Sequence, residues 1–352
     1  MKGLVLAGGK GSRLRPFTYS GAKQLVPIAN TPVLHFPVRH LVEAGITDIG
    51  IVIGETGEQV RQAMGDGSAF GARFTYIQQP APLGIAHAIL VARDFLGDAP
   101  FVLYLGDNVL LGGITGFVRE FESTGDAASI ILREVEDPRA FGVAELRDGR
   151  LVRIVEKPAN PPSSLAVIGV YAFRPQVFDV VARQQPSARG ELEISDALTG
   201  LVQAGHTVRT TLTHDHWIDT GKMDDILAAN QVILDSLGSE SRCHGTLGGC
   251  TVQGPVFIEP GAHLESCELR GPVTIAAGAH LRECRVGPYV AVGPNARLER
   301  VGISNAIVMS HATLEDCPLI EASMIGRHAC VAGAPHGSRL TLGDHSRIEV
   351  AG

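Results

Sequence analysis

From about residue 245 onward the chain repeats itself. Ile258, Ile275 and Val292 are spaced by 17 residues, as are Leu264, Leu281 and Leu298, and again Leu269, Val286 and Ile303. Gly261 and Gly278 fall in step, with Asn295 in the third copy. A single short copy cannot bury such an aliphatic row, so the copies must stack until each row covers the next, which makes a solenoid. The cysteines obey the same interval. All six (Cys243, Cys250, Cys267, Cys284, Cys317 and Cys330) lie in this last third, none in a C-x-x-C pair. Cys267 and Cys284 are one interval apart and Cys317 falls where the slipped repeat returns, so a column of small buried thiols is expected in place of a zinc site or disulfides.

Within a copy, Ile258 to Leu264 and Ile275 to Leu281 are six apart, which resembles the hexapeptide pattern of left-handed parallel β-helices. That resemblance implies a full turn of about 18 residues, against which rungs of 17 are expected to be one residue short at a corner. The pattern fades after Leu314, and no cap can be read.

The first 240 residues have another texture. Thr31-Pro32 predicts an N-cap and first-turn proline for a helix ending at Gly45; Ile49–Ile53 and Phe101–Leu105 read as buried strands, and Gly84–Phe95 as a helix. This alternation predicts an α/β fold, a Rossmann-like, mostly parallel sheet covered by helices, with ligands at the carboxyl ends of its strands. Beyond 125, Val143–Arg147 and Leu151–Val155 flank Asp148-Gly149, a tight hairpin turn. A closing helix from Lys222 to Leu237 carries one apolar face, and 238–241 reads as a linker. The expected division is a catalytic domain over 1–240 followed by an all-β helix domain over 241–352.

The candidate chemistry begins at the first strand. Leu4-Val5-Leu6-Ala7 runs into Gly8-Gly9-Lys10-Gly11-Ser12-Arg13-Leu14-Arg15-Pro16, then Lys23-Gln24-Leu25-Val26-Pro27. A glycine-rich basic loop after a strand suits phosphates, since backbone N–H groups can approach an anion that Arg and Lys neutralise. It is neither common phosphate motif. The dinucleotide fingerprint begun at Gly9 would need glycine where Leu14 stands, and the Walker pattern would need a terminal Gly-Lys-Ser/Thr. The string GGxGSRLxP with a lysine ten residues after Arg13 resembles the sugar-phosphate nucleotidyltransferases, most closely the long-form glucose-1-phosphate thymidylyltransferases, over roughly the first 235 residues.

That resemblance implies a site. Arg13 and Lys23 would grip the triphosphate and its α-phosphorus, with Leu6, Gly8, Gly9, Gly11, Ser12 and Gln24 lining the nucleotide. In Gln79-Pro80-Ala81-Pro82-Leu83-Gly84, the Gln79 amide would offer a donor and an acceptor to the imide edge of thymine or uracil, with Pro82 beside it and Gly84 leaving room for the ring. Leu83 replaces a frequent acidic residue and His87 a frequent glutamine. Asp107 in Gly106-Asp107-Asn108 and Asp219 in Trp217-Ile218-Asp219 would share Mg2+, which takes one or two carboxylates and fills its shell with water and phosphate. Asn108, Gly142, Glu156, Lys157, Ile168, Gly169, Tyr171 and Arg189 would hold the sugar phosphate. Arg13, Lys23 and Asp107 would be the catalytic set, and dTTP and glucose 1-phosphate the substrates.

Other classes fit less well. A formal charge of −7 argues against nucleic acid as partner. The chain opens directly into strand-like sequence, with no signal-peptide pattern and no membrane-length apolar run, so a cytoplasmic protein with no membrane partner is expected. A uridylyl transferase on a related hexose 1-phosphate is the nearest rival. Acyl transfer on the β-helix is a distant one, since His263 and His280 share a repeat column with His311 nearby, and a role in regulatory assembly is another. Self-association is expected from the exposed edges of the solenoid, and the resemblance implies a trimer or tetramer.

Overall fold

The computed structural model describes residues 1–350. They form two compact units: Met1–Lys10 with Leu34–Trp217, and Gly11–Val33 with everything described from Ile218 onward.

In the first unit a nine-stranded sheet runs in the order Arg150–Glu156, Gly142–Arg147, Leu165–Phe173, Phe101–Leu105, Lys2–Ala7, Asp48–Ile53, Arg73–Gln78, with Ala128–Glu134 and Val208–Leu212 branching from it. Lys2–Ala7 lies between Phe101–Leu105 and Asp48–Ile53, parallel to both, and Arg73–Gln78 continues the parallel run. Leu4, Val5, Ile49, Ile51, Val102 and Leu103 are fully buried, which is why these strands are almost unbroken apolar runs. Parallel pairing also brings the ends of these strands to one edge of the sheet. Leu165–Phe173 then pairs antiparallel with Phe101–Leu105, and the hairpin forms as expected, Asp148 and Gly149 taking φ of 48° and 74°.

Two local expectations fail here. Thr31-Pro32 is no helix cap; it pairs as a short strand with Pro27-Ile28, and the helix runs His35–Glu43. The turn between these strands puts Ala29 and Asn30 at φ of 45° and 63°. Alanine rarely accepts that region, and tertiary contacts hold it there. The Ala29 N–H donates to Asn230 Oδ1 (2.9 Å) and Asn30 Nδ2 donates to the Val292 carbonyl (3.0 Å). The helix expected over 84–95 is two pieces, Ile85–Val91 and Arg93–Leu96, meeting at Ala92. The closing helix runs Met223–Ser236, capped by Lys222 and Asp225.

The repeat is a parallel β-helix. Thr246, His263, His280 and Arg297 pair in successive steps of 17. The pattern does not end at Leu314: Thr313, Cys330 and Arg347 continue the same row. One rung has a residue fewer, since Val286 pairs with Ile303 but Val290 pairs with Ala306, and that slip hides the later copies from a fixed period. The rows Ile258, Ile275, Val292, Val308, Ile325 and Leu264, Leu281, Leu298, Leu314, Val331 fill its core. Cys267, Cys284 and Cys317 are buried free thiols, the expected column. At one corner, Gly261, Gly278, Asn295, His311, His328 and His345 all have φ between 56° and 81°. The last three stack ring on ring at 4.7 and 5.0 Å. Among the described residues no helix is long and apolar enough to cross a membrane.

Candidate active site

Of the basic loop, Gly8, Gly9 and Lys10 belong to the first unit and Gly11 onward to the second, where the β-helix holds the segment. Arg327 Nη2 donates to the Leu25 carbonyl at 3.1 Å while its guanidinium pairs with Asp344, whose carboxylate accepts from Ser20 Oγ at 2.8 Å. Gly11 sits at φ 60°, and a Cβ there would lie 2.7 Å from that of Lys23. Only glycine combines that backbone with that approach, so the loop packs down on the Lys23 stem. Arg13 Nη2 and Asp219 Oδ2 both approach Gly221, within 2.8 and 3.3 Å of where its side chain would begin. Gln24 is 1% exposed, and its Oε1 is buried with no hydrogen-bond partner among the described residues. An orphaned buried acceptor costs about 1–3 kcal/mol, so Gln24 is a group in want of a donor.

The first unit carries the other expected residues at strand ends. Gly8 follows Lys2–Ala7 and packs against Gly54, with Gln79 Oε1 3.5 Å from the position of its missing Cβ. Gly84 has φ 102°, and a Cβ would lie 2.4 Å from the Leu192 carbonyl oxygen, so this loop tolerates no side chain there. Pro82 and Leu83 are exposed beside it. Asp107 follows Phe101–Leu105, and Asn108 Nδ2 donates to its Oδ1 at 3.0 Å. Asn108 is 2% exposed and its Oδ1 accepts from Trp217 Nε1 at 2.6 Å, so its amide is spent on fixing Asp107. Trp217 was not foreseen as a partner, because the two lie 109 positions apart.

Glu156, Lys157 and Arg189 do come together. Arg189 Nη2 and Lys157 Nζ each lie 3.3 Å from Glu156 Oε1, and Ser195 Oγ donates to Glu156 Oε2 at 2.6 Å. Arg189 also forks onto Glu193, at 2.7 and 3.1 Å. Glu193 is nearly buried, and sequence reasoning missed it although it sits four residues after Arg189. Burial, then the charges of Glu193 and Glu156, raise the Asp196 carboxyl above its ordinary value. Gly142 lies beside this cluster, its missing Cβ 2.9 Å from Ser195 Oγ and 3.4 Å from Glu156 Oε2. Gly169, at φ 75°, packs on Leu105 and Asn108. Ile168 and Tyr171 are buried, and burial, then the charges of Glu156 and Asp107, push the Tyr171 phenol up.

The nucleotidyl transferase family pattern matches residues 2–236. The chain belongs to the nucleotidyl transferase family. A Streptomyces griseus glucose-1-phosphate thymidylyltransferase is 45% identical over 356 residues, covering all of both chains. The low-salt glycan biosynthesis nucleotidyltransferase Agl11 of Haloferax volcanii is 45% identical over 359 residues, covering 99% of this chain and all of its own. A Bacillus anthracis structure, described as a candidate glucose-1-phosphate thymidylyltransferase in complex with sucrose, superposes with a TM-score of 0.64 at 38% identity, covering 67% of this chain and 96% of its own.

In a member of this family, magnesium is the metal to test against the residues. Among the described residues no group of three or more His, Cys, Asp or Glu could hold an ion. The donors offered are single hard carboxylates, Asp107 held by Asn108 and Asp219 near Arg13. Each is a hard oxygen donor of the kind magnesium takes, one or two carboxylates with water and phosphate filling the shell.

Proposed function

We propose that this protein is a glucose-1-phosphate thymidylyltransferase: a phosphate oxygen of glucose 1-phosphate attacks the α-phosphorus of dTTP in line, pyrophosphate leaves, and dTDP-glucose is formed. The observation that carries this reading is the Streptomyces griseus relative, alike over its whole length. Residues 1–240 are assigned to catalysis and 241–352 to the β-helix architecture.

The chain's residues act by alignment and charge. Arg13 and Lys23 offset the charge that builds on the α-phosphate, and the amides of Gly8, Gly9, Gly11 and Ser12 meet the outer phosphates, with Leu6 lining the nucleotide. Gln24 gives its unpartnered carbonyl to a nucleotide donor. Gln79, Pro82 and Gly84 receive the base. Glu156 accepts from sugar hydroxyls, Lys157 and Arg189 hold the acceptor phosphate, and Gly142, Ile168, Gly169 and Tyr171 shape that side, with Asn108 fixing Asp107. Asp107 and Asp219 are the carboxylates for magnesium, which, when bound, supplies charge neutralisation between two anions that otherwise repel. The working form is a cytoplasmic homo-oligomer, a trimer or tetramer.

The test is an assay of purified protein with glucose 1-phosphate, Mg2+ and each of dTTP, UTP, dCTP and dATP, reading pyrophosphate. The expected result is fastest release with dTTP. Preference for UTP makes it a uridylyl transferase; no release with glucose 1-phosphate but release with another hexose phosphate moves the acceptor.

A further inference from the structure

The hydrogen bonds of Gln79 say which face it turns to a base. Gln79 Nε2 donates to the Gly84 carbonyl at 3.2 Å, and a carbonyl can only accept, so this contact fixes which end of the amide is nitrogen. The same Nε2 lies 3.0 Å from His87 Nδ1. With one N–H spent on Gly84, the other meets Nδ1, which must therefore accept and carry no proton. His87 is thus the neutral tautomer protonated at Nε2. Burial lowers its pKa from the ordinary 6.5 and keeps it so at neutral pH. Both amide protons are then engaged, and the donor expected of Gln79 toward the base is already used. What remains is Oε1, 3.5 Å from where a Gly8 side chain would begin.

We propose that His87 is a positioning residue for base selection: with the Gly84 carbonyl it locks the Gln79 amide so that only an acceptor faces the nucleobase. This rests on the thymidylyl-transfer reading above. An acceptor at that point pairs with the N3–H of an imide base, thymine or uracil. It repels cytosine, whose N3 is itself an acceptor. Without His87 the amide loses one of two restraints and can turn its nitrogen outward. A glutamine at 87 can replace imidazole, since its own carbonyl accepts from Gln79 Nε2.

The experiment compares wild type, His87→Leu and His87→Gln with dTTP and dCTP, glucose 1-phosphate and Mg2+. For His87→Leu we expect the dTTP KM to rise about tenfold, with the loss concentrated in KM and not in kcat, and the kcat/KM ratio of dTTP to dCTP to fall about tenfold. His87→Gln should recover most of both. A purely structural role would lower stability and kcat without moving the base ratio. Wild-type base discrimination in folded His87→Leu overturns the proposal, as does a His87→Gln variant no better than His87→Leu. An inactive wild type instead overturns the thymidylyl-transfer reading itself, so the two failures are told apart.

Discussion

The α/β unit and the β-helix bury their apolar residues by opposite strategies. In the β-helix each core residue has a near copy one rung away: Leu264, Leu281, Leu298 and Leu314 do the same work in succession. In the α/β unit the contacts around the candidate site occur once, and some join distant residues, as when Trp217 braces Asn108 across 109 positions. Repetition makes a scaffold whose stability is a sum of similar rungs, whereas a site of single contacts has no spare part. The Gly11–Val33 segment borrows from both: it carries single-copy residues proposed for the chemistry and leans on the repeat through Arg327 and Asn30.

The comparison can be broken first where no copy exists. Lys23→Ala and Asp107→Asn should each lower kcat by about 10²–10³-fold or more, the usual loss on removing one charge-stabilising group, with the melting temperature nearly unmoved. Steady-state kinetics beside thermal denaturation decide it; near-normal turnover in a folded variant removes that residue from the chemistry.

The repeat should answer in stability. Leu281→Ala, in a central rung, is expected to cost about 2–4 kcal/mol in denaturant unfolding, and the half-buried Ile348→Ala in the last rung clearly less. Equal costs would deny the stacked-rung account. Arg327→Ala sharpens the comparison further, because it releases the Leu25 carbonyl from the β-helix. It should lower kcat several-fold, an effect of about 1 kcal/mol, by loosening the segment that holds Lys23.

A smaller effect concerns pH. His35 packs edge-on against Phe70, and burial, then Arg39, lower its pKa from 6.5 to about 4. The folded state therefore favours neutral imidazole. Above pH 6.5 both states are neutral and His35 costs nothing; as pH falls from 6.5 toward 4 the unfolded chain takes up the proton first and stability declines. His35→Gln should flatten the melting-temperature profile in that window relative to wild type. The smallest effect is expected at the surface ion pair of Arg282 and Glu299, where Arg282→Ala should leave the melting temperature unchanged within error.

These contrasts also explain what the sequence revealed. The repeat was legible because its signal is periodic and local, and it was lost after Leu314 for a physical reason: one rung is shorter at the corner after Ile303. The loop, Gln79, Asp107 and Glu156 could be singled out as candidates because each lies within a short motif. The Ala29-Asn30 turn was not, since Asn230 and Val292 impose it from far along the chain. Nor were the Arg189 fork onto Glu193 or the commitment of both Gln79 amide protons, because hydrogen-bond partners depend on how loops meet and not on their spacing.

The central claim is direct transfer of a nucleotidyl group between two anions, and dTTP labelled at its α-phosphorus tests it most directly. Incubated with the protein, glucose 1-phosphate and Mg2+, the label should pass wholly into dTDP-glucose, at a rate equal to pyrophosphate release and with none bound to protein. Label recovered as dTMP, or held covalently on the chain, would contradict the account.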